Sequence, residues 1–209
     1  MKRGGPVVVA TTDGRAYYAF VTLLRDMKIQ RRDALPWEVG AGAGLLLTTR
    51  RERPEWYAGE ALLYEDVRDD QTKARYSLIS GLYPGAEDEV VVGIDPGGVT
   101  GVACLYRGAL LAAVSSREQS MVVTLALKVL SLPIARKVVR VGNGDSRGVR
   151  LAHAILSRTG DGVEVEMVDE SGTSRAKAAG RVSRDIASAM SIARRKGVKL
   201  SRGRGRPPG

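Results

Sequence analysis

Four acidic positions in the second half of the chain have the type and spacing to work together: Asp95, Asp145, Asp169-Glu170 and Asp185. Asp95 ends the β-branched run Val90-Val91-Val92-Gly93-Ile94, a pattern of a strand covered on both faces. Pro96 then removes a backbone donor and Gly97-Gly98 permits a sharp turn, so the carboxylate is held at the rim of a sheet. Asp169-Glu170 closes a second alternating run, Val163–Val168, and Asp145 follows a third, Lys137–Val141. In an open α/β sheet such strand ends converge on one crevice. Converging carboxylates repel unless a divalent cation neutralises them. With one histidine and one cysteine in the chain, an all-oxygen site selects Mg²⁺ or Mn²⁺. Ions so held suit phosphodiester hydrolysis. The competing reading of Asp95 is a turn residue that caps its strand, and Asp185 could equally be paired with Arg181 one helical turn earlier.

The elements that must position these acids follow from periodicity. In the first 85 residues, Pro6–Thr12, Leu45–Thr49 and Ala61–Tyr64 read as strands. Arg15–Lys28 and Asp69–Leu82 read as helices, the first opened by Asp13-Gly14. Arg31–Gly44 reads as irregular, and its Gly40–Gly44 run lacks the Gly-Lys-Ser/Thr ending of a phosphate loop. The acidic turn Tyr83–Glu89 is the candidate boundary. Beyond it come the Asp95 strand, then Thr100–Tyr106 and Ala109–Ser115 as a hairpin around Arg107-Gly108. Helix Glu118–Leu130, strand Lys137–Val141, helix Val149–Arg158 and strand Val163–Val168 follow, and a long helix from Thr173 to Lys196 closes the series. This is a mixed α/β sheet with helices packed on it. The expected division is a small α/β module over 1–85, a second domain over 90–197, and a disordered basic tail over 198–209.

Charge narrows the partner. Of 33 basic and 23 acidic residues, eleven basic ones and only Asp185 lie from Arg175 onward, which is the entire net charge of +10. Arg175, Lys177, Arg181, Arg184, Arg194, Arg195, Lys196, Arg202, Arg204 and Arg206 therefore read as contacts to a polyanion, DNA or RNA. A merely solubilising tail is the alternative. Aromatic residues are only 5% of the chain, which argues against extensive base stacking. The lone Cys104 excludes a disulfide framework, and the lone His153 leaves little room for a Ser-His-Asp site. No apolar run approaches the ~20 residues that span a bilayer, and the N-terminus lacks a signal-peptide pattern, so no membrane role and a cytoplasmic location are expected.

Three motifs in order resemble a known family. Val92–Gly101 is similar to the opening strand of RuvC-type Holliday-junction resolvases and their YqgF relatives, within the ribonuclease H-like superfamily. Asp169–Ser174 is similar to the Asp-Glu-Arg-x-Thr signature of the YqgF group, and Arg184–Ala193 resembles the closing helix, in which an Asp precedes a run of alanines. The resemblance covers roughly 90–197. It implies a ribonuclease H-like fold, Asp95, Glu170 (or Asp169) and Asp185 as catalytic metal-binding acids, and, since the resolvases act as dimers, a homodimer; Asp145, outside the three motifs, is a reserve acid from the loop after the middle strand. Two positions depart from the resolvase pattern. Its second closing-helix Asp is Ser188 here, and its middle-strand Glu is replaced by Val141-Gly142-Asn143. A metal-dependent nuclease on structured nucleic acid and a non-catalytic binder on the same fold are both expected readings. A nucleotide-binding ATPase of the same superfamily needs two such domains, and 1–85 is too short to be the second. Arg204-Gly205-Arg206-Pro207 resembles an AT-hook core, whose arginines enter a narrow minor groove.

Overall fold

The computed structural model describes residues 5–144, 146–169 and 184–200. The chain divides into two compact units, Met1–Glu87 and Asp88–Gly209.

The first unit is a four-stranded, all-parallel sheet in the order β2-β1-β3-β4, from β1 (Val7–Ala10), β2 (Arg32–Ala34), β3 (Leu45–Thr48) and β4 (Glu60–Leu63). Alternation sorts its strands between two cores. Val7, Val9, Leu45 and Leu47 pack under α1 (Gly14–Asp26) and α3 (Gln71–Leu82), whereas Val8, Ala10 and Leu46 meet Val39 and Tyr57 on the other face. Asp13 caps α1 by accepting from the Arg15 and Ala16 amides. Two expectations are corrected here. The irregular stretch contains β2, whose sequence Arg-Asp-Ala is too short and polar to show a strand pattern and which pairs only at the sheet edge. The strand expected over Ala61–Tyr64 gives way at Tyr64 to a one-turn helix α2 (Tyr64–Val67), whereas the helix expected over Asp69–Leu82 is present as α3, opened by Asp70, whose carboxylate accepts from the Thr72 and Lys73 amides as an N-cap.

The second unit is a six-stranded mixed sheet in the order β10-β9-β8-β5-β6-β7. Strand β5 (Glu89–Asp95) runs antiparallel to β6 (Thr100–Tyr106), which pairs antiparallel with β7 (Ala109–Ser116). On its other side β5 is parallel to β8 (Arg136–Gly142), and β8 to β9 (Val163–Val168). The hairpin turn is Arg107-Gly108, both at positive φ, as a two-residue connection requires. Helices α4 (Gln119–Leu130) and α5 (Ser146–Leu156) cover one face and α6 (Arg184–Ala193) the other. Lys137 of β8 shares a cavity with Leu127 and Leu130 of α4, while Arg140, an odd number of residues on, bonds α6 at Ala193. This order and these strand directions are the ribonuclease H-like mixed sheet. Two further corrections concern its end. Strand β10 (Val198–Lys199) is a two-residue antiparallel pair with β9, too short to be read in sequence, and the described part of the last helix ends at Ala193 instead of Lys196. Cys104 is fully buried in β6, where loss of solvation pushes its thiol up to about 12, and it is an inert core residue. Among the described residues no helix is long and apolar enough to cross a membrane.

Candidate active site

The seat of α6 decides which acids meet. Gly93 and Gly101 leave a bare trough on the sheet: a Cβ at Gly93 would overlap the Ala189 carbonyl, and one at Gly101 the Asp185 carbonyl. Ala189 and Asp185 are one helical turn apart, so α6 crosses from β5 to β6 with its backbone directly on the strands. Asp95 is the cross-strand partner of Gly101, and Gly101 in turn of Ser115. Asp95, Gly101 and Ser115 thus form one row over three strands, adjacent strands lying about 5 Å apart, and Asp185 sits over the middle of it. The Ser115 hydroxyl donates to Asp185 Oδ2 at 2.9 Å, across 70 residues of sequence. Both acids are half-buried.

The parallel strands bring their carboxyl ends to the same edge. Ile94, Val141 and Met167 form a row, with Asp95 one residue beyond it on β5 and Asp169 two beyond it on β9. The Asn143 amide donates to the Val168 carbonyl at 3.0 Å, which prolongs the ladder towards that edge. Asp169 is exposed, and its backbone carbonyl accepts from Arg195 Nη1 at 3.4 Å. Of the expected site residues, Asp95 and Asp185 are brought together and Asp169 shares their edge. Asp145, Glu170, Arg175, Lys177, Arg181, Arg202, Arg204 and Arg206 lie outside the described residues. Among the described residues no three His, Cys, Asp or Glu side chains are grouped to hold a metal. Arg184 is exposed at the start of α6, Arg194 and Lys196 are exposed beyond its end, and Arg195 is half-buried.

Three participants escaped the sequence reading. Ser115 was visible only as a strand end. Arg147, exposed in the first turn of α5, reaches the Asp95 turn by donating to the Gly97 carbonyl at 3.1 Å and adds a cation to the acidic edge. Arg140 on β8 is buried, donates through Nε to Glu166 at 2.9 Å and through Nη1 to the Ala193 carbonyl at 2.6 Å. Glu166 also accepts from the Gly197 amide at 3.1 Å. Burial pushes its carboxyl up, but the bonds from Arg140 and Gly197 outweigh this and hold it below the usual range. The pair therefore ties the last turn of α6 to the sheet face whose other end carries Asp95.

No family model matches the sequence, and no curated protein does. Among solved structures, the Argonaute of Marinitoga piezophila with a 5′-OH guide RNA is similar at 9% identity and a TM-score of 0.32, over 79% of this chain and 39% of that one. The same Argonaute with guide RNA and target DNA gives 7% and 0.31, over 78% and 39%. The chain thus spans about two fifths of those proteins. Likeness of this degree assigns no activity.

Proposed function

We propose that this protein is a divalent-metal-dependent nuclease acting on structured DNA or RNA, of the RuvC/YqgF-type resolvase-like or RNA-processing kind. The observation that carries the reading is the placement of Asp95 and Asp185 on either side of Gly101, at the carboxyl-terminal edge of a ribonuclease H-like sheet. The donor set suits Mg²⁺ or Mn²⁺: both acids are hard oxygen ligands, and Mg²⁺ is commonly held by one or two carboxylates with water filling the other positions. Asp95 and Asp185 would hold the ion, with Glu170 and Asp169 as further acids of the same motifs and Asp145, outside them, in reserve. A bound ion supplies an activated water and charge stabilisation at the leaving oxygen. Ser115 fixes one oxygen of Asp185, which leaves the other to turn towards the edge. Arg147, Arg184, Arg194, Arg195 and Lys196 supply positive charge for phosphates, as Arg175, Lys177, Arg181, Arg202, Arg204 and Arg206 would from the rest of the basic segment. A homodimer and a cytoplasmic location accompany this reading.

A second reading, a nucleic-acid-binding protein without catalysis, is favoured by Ser188 and by the Gly142-Asn143 end of β8, which offers no acid to the site. One experiment separates the two. Labelled four-way junction, duplex DNA and structured RNA are incubated with Mg²⁺, Mn²⁺ or EDTA, with Asp95→Asn in parallel. The nuclease reading expects metal-dependent cutting, reduced in Asp95→Asn on the order of 10²–10³-fold, the range for losing a group that stabilises developing charge. Salt-sensitive binding without cutting, equal in the variant, establishes the binder instead.

A further inference from the structure

The opposite edge of the second sheet, away from the carboxylates, carries a cavity of about 510 Å³. It opens where α4 and α5 end and where β8 and β9 begin. Its walls are aliphatic: Leu127 and Leu130 from α4, Ile134 from the connection to β8, and Val163 from β9. Two cations complete it, Lys137 on β8 and Arg158 just past α5. No carboxylate lines it. The acids of this edge are engaged elsewhere: Asp88 by the Tyr106 hydroxyl at 2.7 Å and the Ala135 amide at 2.8 Å, Glu89 by Arg136 at 2.5 Å, and Glu164 by Lys199 at 3.0 Å. Asp161 stands between two lining glycines, Gly160 and Gly162, without itself lining the cavity. Among the described residues neither Lys137 nor Arg158 has an ion-pair partner. The two hydroxyls present are already donating, Ser131 to the Lys128 carbonyl at 2.8 Å and Thr159 to the Ile155 carbonyl at 3.1 Å.

The chemistry of an occupant follows. Two unpaired cations with no competing acid select an anionic head. The aliphatic walls select an apolar body, and the volume is that of a small-molecule site. The lining has no aromatic side chain to stack a base and no free amide side chain to read one, which disfavours a nucleotide. We propose that this cavity binds a small amphipathic anion, with a carboxylate or phosphate head between Lys137 and Arg158 and an aliphatic body against Leu127, Leu130, Ile134 and Val163.

The test uses the full-length, ¹⁵N-labelled protein, titrated below micelle-forming concentrations with octanoate, octyl phosphate, octanol and inorganic phosphate. The amides of Gly160, Gly162 and Val163 report. The expected result is saturable shifts with octanoate or octyl phosphate, at least about tenfold weaker binding of octanol (a difference of about 1.4 kcal/mol), and loss of the shifts in Lys137→Gln/Arg158→Gln. The tighter of the two acids names the head group. Leu127→Trp, which fills the cavity and keeps both charges, should abolish binding as well and serves if the double variant does not fold. Absence of saturable shifts with either acid overturns the proposal. So does octanol binding as tightly as octanoate, which leaves only an apolar depression, or inorganic phosphate matching octyl phosphate, which leaves only a surface pair of cations.

Discussion

Both units place a carboxylate where parallel strands end, and they treat it in opposite ways. In the first unit Glu52 follows β3, and its carboxylate is surrounded by donors: the Thr11 hydroxyl, the Thr12 amide at 2.7 Å and hydroxyl at 2.5 Å, and the Thr49 hydroxyl at 2.7 Å. Burial pushes this group up, but the threonine bonds outweigh it and bring it down to about 2. In the second unit Asp185 accepts, among the described residues, from the Ser115 hydroxyl, and it lies beside Asp95 over the bare Gly101 backbone. A carboxylate whose lone pairs are filled by the protein fixes a loop. One with a single donor keeps capacity for a ligand. The difference lies in the neighbours each fold supplies, since both acids sit at the same kind of sheet edge.

The comparison extends to the buried charge that holds α6. Arg140 is the strongest single point to break. Arg140→Met should leave Glu166 buried without its cation and release the Ala193 carbonyl, at a cost of about 3–5 kcal/mol in urea unfolding. A loss below about 1 kcal/mol would show that α6 is seated by the Gly93–Gly101 trough alone. Glu52→Gln should cost about 1–2 kcal/mol at neutral pH, once solvent exposure is allowed for, and should leave nucleic-acid cleavage unchanged. The sign follows from the lowered value. The Glu52 contribution is complete above the ordinary carboxyl range near 4.5 and disappears as pH falls towards about 2. The wild-type and variant stability curves should therefore converge over that window, and parallel curves would contradict the saturated arrangement. Ser115→Ala is the smallest change, expected to cost about 0.5–1.5 kcal/mol of stability. Its sharper readout is the metal concentration needed for half-maximal cleavage, which should rise a few-fold if Ser115 orients Asp185. An unchanged metal requirement would make the serine bond purely structural.

Much of the second unit was legible because its signals are local. The Val90–Ile94 run, the Arg107-Gly108 turn and the helix–strand–helix–strand order each depend on a few neighbouring residues, and the sheet has the expected mixed form. In the first unit β2 was hidden because Arg-Asp-Ala at the sheet edge carries no periodicity, and α2 because the four residues Tyr64–Val67 are too few to show one. In the site, Asp95 could be placed at a strand end from Pro96 and Gly97-Gly98 alone. Ser115 had no such signal.

The sequence by itself determined that Asp95 ends a buried strand, that an alanine-rich helix carrying Asp185 can approach a sheet closely, and that the basic excess is confined to the last stretch of chain. Tertiary structure alone decided that Gly101 stands between Asp95 and Asp185, that Ser115 of β7 donates to Asp185, and that Arg140, Glu166 and Ala193 form one buried cluster. The physical reason is register. Which residues face one another across strands, and which turn of a helix rests on them, is set by long-range pairing and by where a missing Cβ lets backbone meet backbone.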